Sequence, residues 1–396
     1  MQQPTLQAAF RKVKITPEET APLQGYDPSV HIASPEKDIL DDLYARVLVV
    51  DDGETRQVIV SMDCCLTNEE PFEAVYMEAG KWVNRRLHQT FPAGTRARWA
   101  DAAGVEEASV SVHATHTHSA PEHFGEKYTI RIDEAILDAI SGLQPVRIRA
   151  ASGAFDVSVN RRPQLQHNDS LEIDRTWQVV VFETYDGRAL GAIVNGAVHP
   201  TLLMNPFNRV SSEFVGLAMS EFEREKGEGF VSLFIQGFSA DAGPIHHYRT
   251  EKYDTYPWVK ELGHKLYESI TQLTENLQFL AEAPLKSTEK IIGLPTKDGY
   301  IKPSVDVRLH GVRIGDLLLC SVSAEVFNGY IGYIKAHSPA ACTMFAGIAN
   351  GCCGYLPTPE AFGDGLEGYE MIVTPYKVEA CELFIQSAIE LVESLA

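Results

Sequence analysis

Three closely spaced histidines are the strongest candidates in this chain for catalytic or metal-binding residues. They lie in the segment 111–121 (SVHATHTHSAP), which ends an alternating apolar run typical of a β-strand. On a strand, His116 and His118 would face the same side, and His113 would face the other side in a structural role. Neutral imidazoles at a strand end can bind a metal ion and leave one coordination position open. The sequence therefore predicts a metal site at this point.

A second histidine site lies at His199, which follows another predicted strand, 190–198, and precedes Pro200. Proline cannot donate a hydrogen bond to a central ladder, so the strand must stop there. Two strands that each end near a histidine can bring imidazoles together from distant positions, and a carboxylate would complete such a site. Glu325 is the candidate, because it follows the apolar run 317–324 and opens a predicted helix whose dipole favours an acid. Glutamate is common at helix N-termini, so this position alone is weak evidence.

The elements that must position these residues are strands and helices in mixed order. Two Asp-Gly turns between apolar runs predict antiparallel hairpins. The predicted strands are 45–50, 57–62, 146–150, 177–183, 190–198 and 231–235, and the predicted helices are 70–91, 132–143, 214–226, 257–277, 326–336 and 376–395. The fold class is therefore α/β (α+β-like), with mixed, largely antiparallel sheets and helices packed outside. Since no repeat or linker interrupts the chain, we expect a single domain over residues 1–396.

Composition restricts the partners. The 396 residues carry a formal charge of −20 and no cluster of Lys and Arg, which excludes nucleic acid and anionic membrane surfaces as main partners and favours a small-molecule substrate. No apolar run approaches the roughly 18 residues of a membrane span. The first residues lack the features of a signal peptide, so we expect a cytoplasmic protein, or a secreted one if a signal was trimmed. The seven cysteines do not resemble a disulfide framework and are expected to be reduced and buried. The oligomeric state is left open by the sequence, with a homo-oligomer as one alternative.

Several separated motifs agree with one known family, in the same order along the chain. The most specific is 114–119 (ATHTHS). The others are 15–17 (ITP), 25–26 (GY), 43–46 (LYAR), 61–63 (SMD), 159–161 (VNR), 195–199 (NGAVH), 234–236 (FIQ) with Asp241, 323–325 (SAE) and 354–359 (GYLPTP). Together they resemble the catalytic domain of the neutral/alkaline (non-lysosomal) ceramidase family, over nearly the whole chain. The family's C-terminal immunoglobulin-like domain has no counterpart among these motifs.

The resemblance implies one zinc ion bound by His116, His199, Glu325 and Tyr355, with His118 and Arg161 in the surrounding pocket. Tyr355 would be an unusual ligand, because a phenol must approach its anionic form to bind well, which a nearby cation would promote. The alternatives are that Tyr355 is a packed tyrosine after a glycine turn, or that another tyrosine, Tyr369, takes the position. Mixed nitrogen and oxygen ligands also accommodate Fe²⁺, Mn²⁺ or Co²⁺.

Two further positions have alternatives. Arg161 and Arg162 are adjacent, and we expect one of them to be a solvated surface charge. Arg161 is the better candidate for the pocket, where its planar guanidinium would suit a carboxylate or an oxyanion. Asp63, at the end of the predicted strand 57–62, either orients a ligand histidine or caps the next helix.

One departure from the family pattern concerns the nucleophile. The family carries a nucleophilic serine two residues after the aspartate of a Gly-Asp-Val-Ser-Pro-like segment, and the corresponding stretch here, 240–244 (ADAGP), has Gly243 at the serine position. Without that hydroxyl, an acyl-enzyme cannot form at Gly243, and a metal-activated water is the economical replacement.

The resulting hypothesis is a zinc-dependent, ceramidase-like hydrolase that attacks an amide, ester or lactone carbonyl of a small polar substrate. Tyr355, Arg161 or the metal would stabilise the oxyanion, and Asp241 or His118 would move the proton. The alternatives are a true N-acylsphingosine (ceramide) amidohydrolase, and a metal-binding pseudoenzyme or ligand-binding protein.

Overall fold

The computed structural model describes residues 5–25, 30–78, 80–164, 172–203, 208–245, 254–366 and 368–396. Within them the strands are, in chain order, β1 (Gln7–Lys14), β2 (Ala21–Pro22), β3 (Ile32–Ala33), β4 (Tyr44–Asp51), β5 (Arg56–Met62), β6 (Phe72–Glu78), β7 (Lys81–His88), β8 (Val110–Ala114), β9 (Gln144–Ala154), β10 (Ser158–Asn160), β11 (Thr176–Thr184), β12 (Ala189–Gly196), β13 (Val231–Gln236), β14 (Ala242–Pro244), β15 (Gln278–Phe279), β16 (Leu285–Pro295), β17 (Ser304–Ile314), β18 (Leu317–Val322), β19 (Glu325–Val326), β20 (Cys342–Ala346) and β21 (Tyr355–Leu356).

The α-helices of the same residues are α1 (Thr95–Ala103), α2 (Glu126–Ser141), α3 (Arg161–Gln164), α4 (Glu213–Lys226), α5 (Tyr256–Thr274), α6 (Tyr330–Ile334), α7 (Tyr369–Val373) and α8 (Glu379–Glu393). Short 3₁₀ turns cover Glu107–Ser109, Lys335–His337 and Glu360–Phe362. None of these helices combines the length and the apolar character that a bilayer crossing requires.

The larger sheet has the strand order β13-β12-β11-β9-β1-β4-β5-β8, with β15 added beside β9. Most neighbours are antiparallel, including the hairpins β4–β5 and β11–β12 that the two Asp-Gly turns predicted. The pairs β5–β8 and β12–β13 are parallel. A smaller sheet has the order β16-β17-β18-β20. The predicted fold class, mixed and largely antiparallel sheets with helices outside, is confirmed.

The larger sheet curls so that strands distant in its order meet. The hydroxyl of Ser61 in β5 donates a hydrogen bond of 2.5 Å to the backbone carbonyl of Phe234 in β13. Apolar residues from both halves of the sheet, such as Val50 and Leu233, share one buried core with Leu317 and Leu319 of the smaller sheet. The curl therefore brings the ends of β8 and β12, and with them the candidate histidines, into one region.

Helices cover the outer faces. The alternate residues Val47 and Val49 of β4 pack on the α1–α2 side, whereas Phe234 of β13 packs on the α4–α5 side. Leu318 of β18 faces the core beneath α8, which also contains Phe384. Successive side chains of a strand point to opposite faces, and in these strands both faces pack against a buried core. This explains their nearly continuous apolar sequences.

Four of the six predicted helices were confirmed with shifted ends, namely α2, α4, α5 and α8. The predicted helix 70–91 was wrong: the segment forms the antiparallel hairpin β6–β7, which pairs Phe72 with His88 and turns at Gly80 (φ 76). A distant contact favours the strand form, because the Trp82 ring meets the Tyr300 ring edge-on at 5.2 Å. Tertiary packing overrode the local period here.

Candidate metal centre

His116 lies beyond the strand that was predicted to carry it. Strand β8 ends at Ala114, and His116 has a left-handed backbone (φ 68) that few residues other than glycine adopt. Its backbone N–H donates to the Cys64 carbonyl at 2.9 Å, which anchors the turn. The prediction that His116 and His118 share a strand face was therefore wrong, but the turn still brings their Nε2 atoms within 3.3 Å of each other.

His199 also stands in a loop, three residues after the end of β12 at Gly196. Its backbone N–H donates to the Ala242 carbonyl at 2.7 Å. The predicted strand 190–198 therefore ends two residues early. The loop turns the imidazole inward, where the His199 residue is only 1% exposed.

Glu325 does not open a helix. It forms the two-residue strand β19, and α6 begins only at Tyr330, so the predicted helix 326–336 was wrong in its first turn. Strand β19 pairs in parallel with β21, and Glu325 stands in register with Tyr355. This short ladder places the last two candidate ligands side by side although 30 residues separate them in the sequence.

Three of these side chains converge. The Nε2 atoms of His116 and His199 are 2.9 Å apart, and Oε2 of Glu325 lies 3.4 Å from the first and 3.7 Å from the second. Ligand atoms about 2.1 Å from a tetrahedral zinc ion are separated by about 3.4 Å. The three atoms are thus spaced as ligands of one metal ion would be, and they form a candidate metal-binding group.

The hydrogen bonds of Nδ1 in the two imidazoles determine whether each Nε2 can bind a metal ion. Nδ1 of His116 faces the Cys65 carbonyl at 2.7 Å, and Nδ1 of His199 faces the Ser239 carbonyl at 3.2 Å. A carbonyl only accepts, so each Nδ1 carries the proton and each Nε2 presents a lone pair. Among the described residues, Oε2 of Glu325 receives no hydrogen bond either.

Three buried acceptors that face one another without a proton between them are unfavourable unless a cation joins them. The residues present therefore fit a divalent metal ion. Burial, helped by the nearby positive charge of Arg161, lowers the pKa of His199 well below its usual range, so this imidazole stays in the neutral form that binds metals.

A second candidate group overlaps the first. It comprises Cys65, His116 and His118, with the Cys65 sulfur 3.7 Å from Nδ1 of His116. The two groups share His116, whose Nδ1 already faces the Cys65 carbonyl, so its Nε2 is the nitrogen left to bind a metal ion. In the first group, Nε2 of His116 lies 2.9 Å from Nε2 of His199 and 3.4 Å from Oε2 of Glu325, and we take this group as the candidate centre. As expected from the sequence, the seven cysteines, all in the described part of the chain, form no disulfide there, and most of them are buried.

His118 packs closely against a glycine from the N-terminal region. A Cβ on Gly25, which has φ 103, would lie 2.4 Å from Cγ of His118. Only glycine allows this approach, so the backbone at Gly25 fixes the ring of His118 beside His116.

Tyr355 and Arg161 meet at the other side of the group. The Arg161 guanidinium donates to the Tyr355 hydroxyl at 3.5 Å. Burial, together with the neighbouring charge of Glu325, raises the pKa of Tyr355 well above its usual range, and Arg161 acts in the opposite direction. Without a cation Tyr355 is therefore a protonated donor, and its role as a ligand stays a prediction.

The expectation that one of the two arginines is solvated was wrong. Arg162 is only 2% exposed and makes a two-pronged ion pair with Asp364, at 2.9 and 3.2 Å. Arg161 is also largely buried and pairs with Glu370 at 2.6 Å. Both arginines thus have partners in one segment that the sequence did not connect with them.

Asp241 is adjacent to this region but is held by other groups. Its carboxylate accepts hydrogen bonds from the Asn328 backbone N–H at 2.7 Å and from the Asn160 side chain at 3.1 Å. Burial raises the pKa of Asp241 to about 6. The carboxylate is therefore well placed to stabilise the surrounding loops, and a direct part in proton transfer stays a prediction.

Asp63, for which two roles were open, and His113, which was expected to be structural, lie elsewhere. Asp63 accepts from the Tyr44 backbone N–H at 2.8 Å and pairs with the buried Arg46 at 3.1 Å. His113 stays within β8 and contacts the Ser111 hydroxyl at 2.5 Å, and burial lowers the pKa of His113 to about 3. These contacts favour structural roles for both.

Some parts of the site left no signal in the sequence. The carbonyls of Cys65 and Ser239 select the histidine tautomers, and backbone groups cannot be recognised by residue type. Glu370 was missed because a glutamate 209 residues after Arg161 has no local relation to it. Only the fold brings such pairs together.

Comparisons with known proteins agree with the motif pattern. No family model matches the chain. Neutral ceramidase B of Dictyostelium discoideum is 26% identical over 234 residues, which cover 50% of this chain and 30% of that protein. Neutral ceramidase of Pseudomonas aeruginosa is 26% identical over 230 residues, 51% of this chain and 32% of that protein. The alignments thus span about a third of the length of these curated relatives.

Solved structures extend the likeness to nearly the whole chain. The crystal structure of neutral ceramidase from Pseudomonas aeruginosa has a TM-score of 0.79 and 19% identity, covering 99% of this chain and 74% of that chain. A ceramidase complexed with C2 has a TM-score of 0.77 and 19% identity, covering 99% and 75%. Sequence and fold together support a neutral-ceramidase-like domain, as the motifs indicated.

Proposed function

We propose that this neutral-ceramidase-like domain is a metal-dependent hydrolase that cleaves an amide, ester or lactone bond of a small, polar compound with water as the nucleophile. One observation carries the proposal, namely the convergence of His116, His199 and Glu325 with their acceptor atoms facing one another. A zinc-type ion bound by these residues would supply Lewis acidity and activate water at neutral pH.

The remaining residues would orient the substrate and move protons. His118 stands 3.3 Å from His116, close enough to the ligand group to exchange a proton with water or with a leaving group there. Tyr355 carries a phenolic proton and receives a hydrogen bond from Arg161, so its O–H can donate to the oxygen of a carbonyl under attack. In this arrangement Tyr355 acts as a donor, or as a fourth ligand once a cation lowers its pKa.

Gly243 supports attack by water over attack by a side chain. It lies in β14, paired with Val159 of β10, and has no side chain to form an ester with the substrate. For Cys320, Cys342 and Cys353, burial raises the pKa above the usual range, which disfavours their thiolate forms as nucleophiles. We expect direct attack by water on the carbonyl, with no acyl-enzyme formed.

The test combines metal content with turnover. Purified protein is stripped with a chelator, reloaded with Zn²⁺, Mn²⁺, Fe²⁺ or Co²⁺, and screened against small amides, esters and lactones. We expect about one ion per chain, turnover that depends on it, and no acyl adduct by mass spectrometry. His116→Ala should lose the ion, whereas His337→Ala, at an exposed histidine, should retain it. A metal-free wild-type protein of normal stability would refute the proposal and favour a ligand-binding role.

Cleavage of an N-acylsphingosine amide is the second candidate, favoured by the superposition on ceramidase structures over 99% of this chain. The same loaded protein, given a short-chain ceramide, decides between the two. If ceramide is cleaved with a higher kcat/KM than any small polar substrate in the screen, this second candidate replaces the first.

A further inference from the structure

Glu370 makes the main charged contact of Arg161. Its Oε1 lies 2.6 Å from Nε of Arg161, and their side chains are 5% and 10% exposed. The oxygen lies off the Nε–H direction, since Nε of Arg161 has no hydrogen-bond partner within the described residues. The attraction is therefore mainly between opposite charges, and a neutral side chain of the same shape would lose most of it.

Arg161 connects this carboxylate to the candidate metal centre. Its backbone N–H donates to the Asp241 carbonyl at 2.8 Å, and its guanidinium donates to the Tyr355 hydroxyl. Tyr355 in turn stands beside Glu325 in the β19–β21 ladder. The positive charge of Arg161 is thus enclosed between Glu370 on one side and the Glu325–Tyr355 pair on the other.

A second ion pair offers a comparison within the same segment. Arg162, next in sequence, pairs with Asp364, six residues before Glu370. The Thr374 hydroxyl, after the end of α7, donates to the Tyr355 carbonyl at 2.8 Å. Both arginines and Tyr355 therefore hold Asp364, Glu370 and Thr374 against the pocket, and of the two ion pairs it is the Glu370 pair whose arginine faces the candidate ligands.

We propose that Glu370 is a positioning residue that sets the charge selectivity of the site, an inference that rests on the proposed hydrolase function. By neutralising Arg161 and holding it against Tyr355, Glu370 removes a buried cation that a substrate carboxylate would otherwise seek beside the candidate ligands. The site then accepts substrates that are uncharged near the reacting carbonyl, and it disfavours those with an anionic group there. Without Glu370, Arg161 would be an uncompensated buried charge that attracts such an anion.

The test compares two esters of equal chain length, 4-nitrophenyl hexanoate and the mono-4-nitrophenyl ester of adipic acid, on metal-loaded protein. We expect the wild type to prefer the uncharged ester. In Glu370→Gln, the kcat/KM ratio of the charged to the uncharged ester should rise about tenfold or more, mainly through KM. Glu370→Asp, which keeps the charge, should recover much of the wild-type ratio. Asp364→Asn is the matched control and should leave the ratio unchanged.

Calorimetric titration with adipate gives a second reading that does not need turnover, and Glu370→Gln should bind adipate about tenfold more tightly than the wild type. If neither these esters nor the amides and lactones of the wider screen are cleaved, the proposed function fails, while this titration still tests the role of Glu370. A wild-type preference for the charged ester would overturn the inference. The inference would also be overturned if Glu370→Gln retained its metal and showed the same kcat/KM ratio and the same adipate affinity as the wild type. If Glu370→Gln does not fold, the double variant Arg161→Gln/Glu370→Gln, which lacks both charges, takes its place. Its kcat/KM ratio of the charged to the uncharged ester should not exceed that of the wild type, and a higher ratio would overturn the inference.

Discussion

Replacement of His199 by alanine separates a metal ligand from a merely packed histidine. A zinc site of four ligands contributes about 10–16 kcal/mol of binding free energy, so one ligand accounts for roughly 2.5–4 kcal/mol. We therefore expect His199→Ala to bind Zn²⁺ on the order of a hundred- to a thousandfold more weakly than the wild type.

The metal-free protein should respond very differently to the same substitution. His199→Ala loses the hydrogen bond of Nδ1 to the Ser239 carbonyl, which costs about 1 kcal/mol, together with some packing. It also removes one of two lone pairs that face each other at 2.9 Å, which offsets part of that cost. We expect the free energy of unfolding without metal to fall by only about 1–2 kcal/mol.

The assay is denaturant unfolding of both proteins in chelator and in buffered Zn²⁺, with Zn²⁺ affinity measured by competition with a chromogenic chelator. The wild type should gain stability as free Zn²⁺ rises above its Kd, and the variant should gain far less. Equal Zn²⁺ affinity in the two proteins would refute the assignment of His199 as a ligand. A large loss of stability in chelator would show that the imidazole matters for packing instead.

The remaining predictions concern other parts of the site and its support. Gly25→Ala should destabilise the protein by about 1–3 kcal/mol and reduce turnover, because the added Cβ would displace His118. Its metal content, measured by elemental analysis, should stay near that of the wild type, and loss of the ion would contradict this prediction. Cys65→Ser should leave Zn²⁺ stoichiometry unchanged, as should the control Cys381→Ser, whereas loss of zinc in the first variant alone would assign the ion to the Cys65–His116–His118 group. Burial raises the pKa of Glu213 from 4.5 to about 7, so between these pH values the folded protein holds a proton that the unfolded chain has lost. Stability from this carboxyl is therefore present below pH 4.5 and is lost as pH rises through 7, by roughly 3 kcal/mol in total. Glu213→Gln should flatten that part of the pH profile in chemical unfolding, and an identical slope in the wild type and the variant would contradict the shift.

Much of the framework was predictable because it depends on local patterns. Apolar runs around Asp-Gly turns specified the β4–β5 and β11–β12 hairpins, and strong helical periods specified α2, α4, α5 and α8. The helical period of 70–91 predicted the wrong element, because a contact such as Trp82 on Tyr300 depends on residues more than 200 positions away. The same limit applies to the predicted helix 326–336, whose first residue, Val326, pairs with Leu356 of β21 instead.

The sequence by itself determined which residue types are available for chemistry: imidazoles near strand ends, a glutamate after a buried strand, and a glycine at the position of the family's serine. Residue type decides what a group can bind or donate, and it is present in the sequence. The tertiary structure alone decided how these groups are used. The curl of the larger sheet brings His116 and His199 together, the carbonyls of Cys65 and Ser239 select their tautomers, and Glu370 neutralises Arg161. Such relations depend on distances of a few ångströms between distant positions, which composition and spacing do not contain.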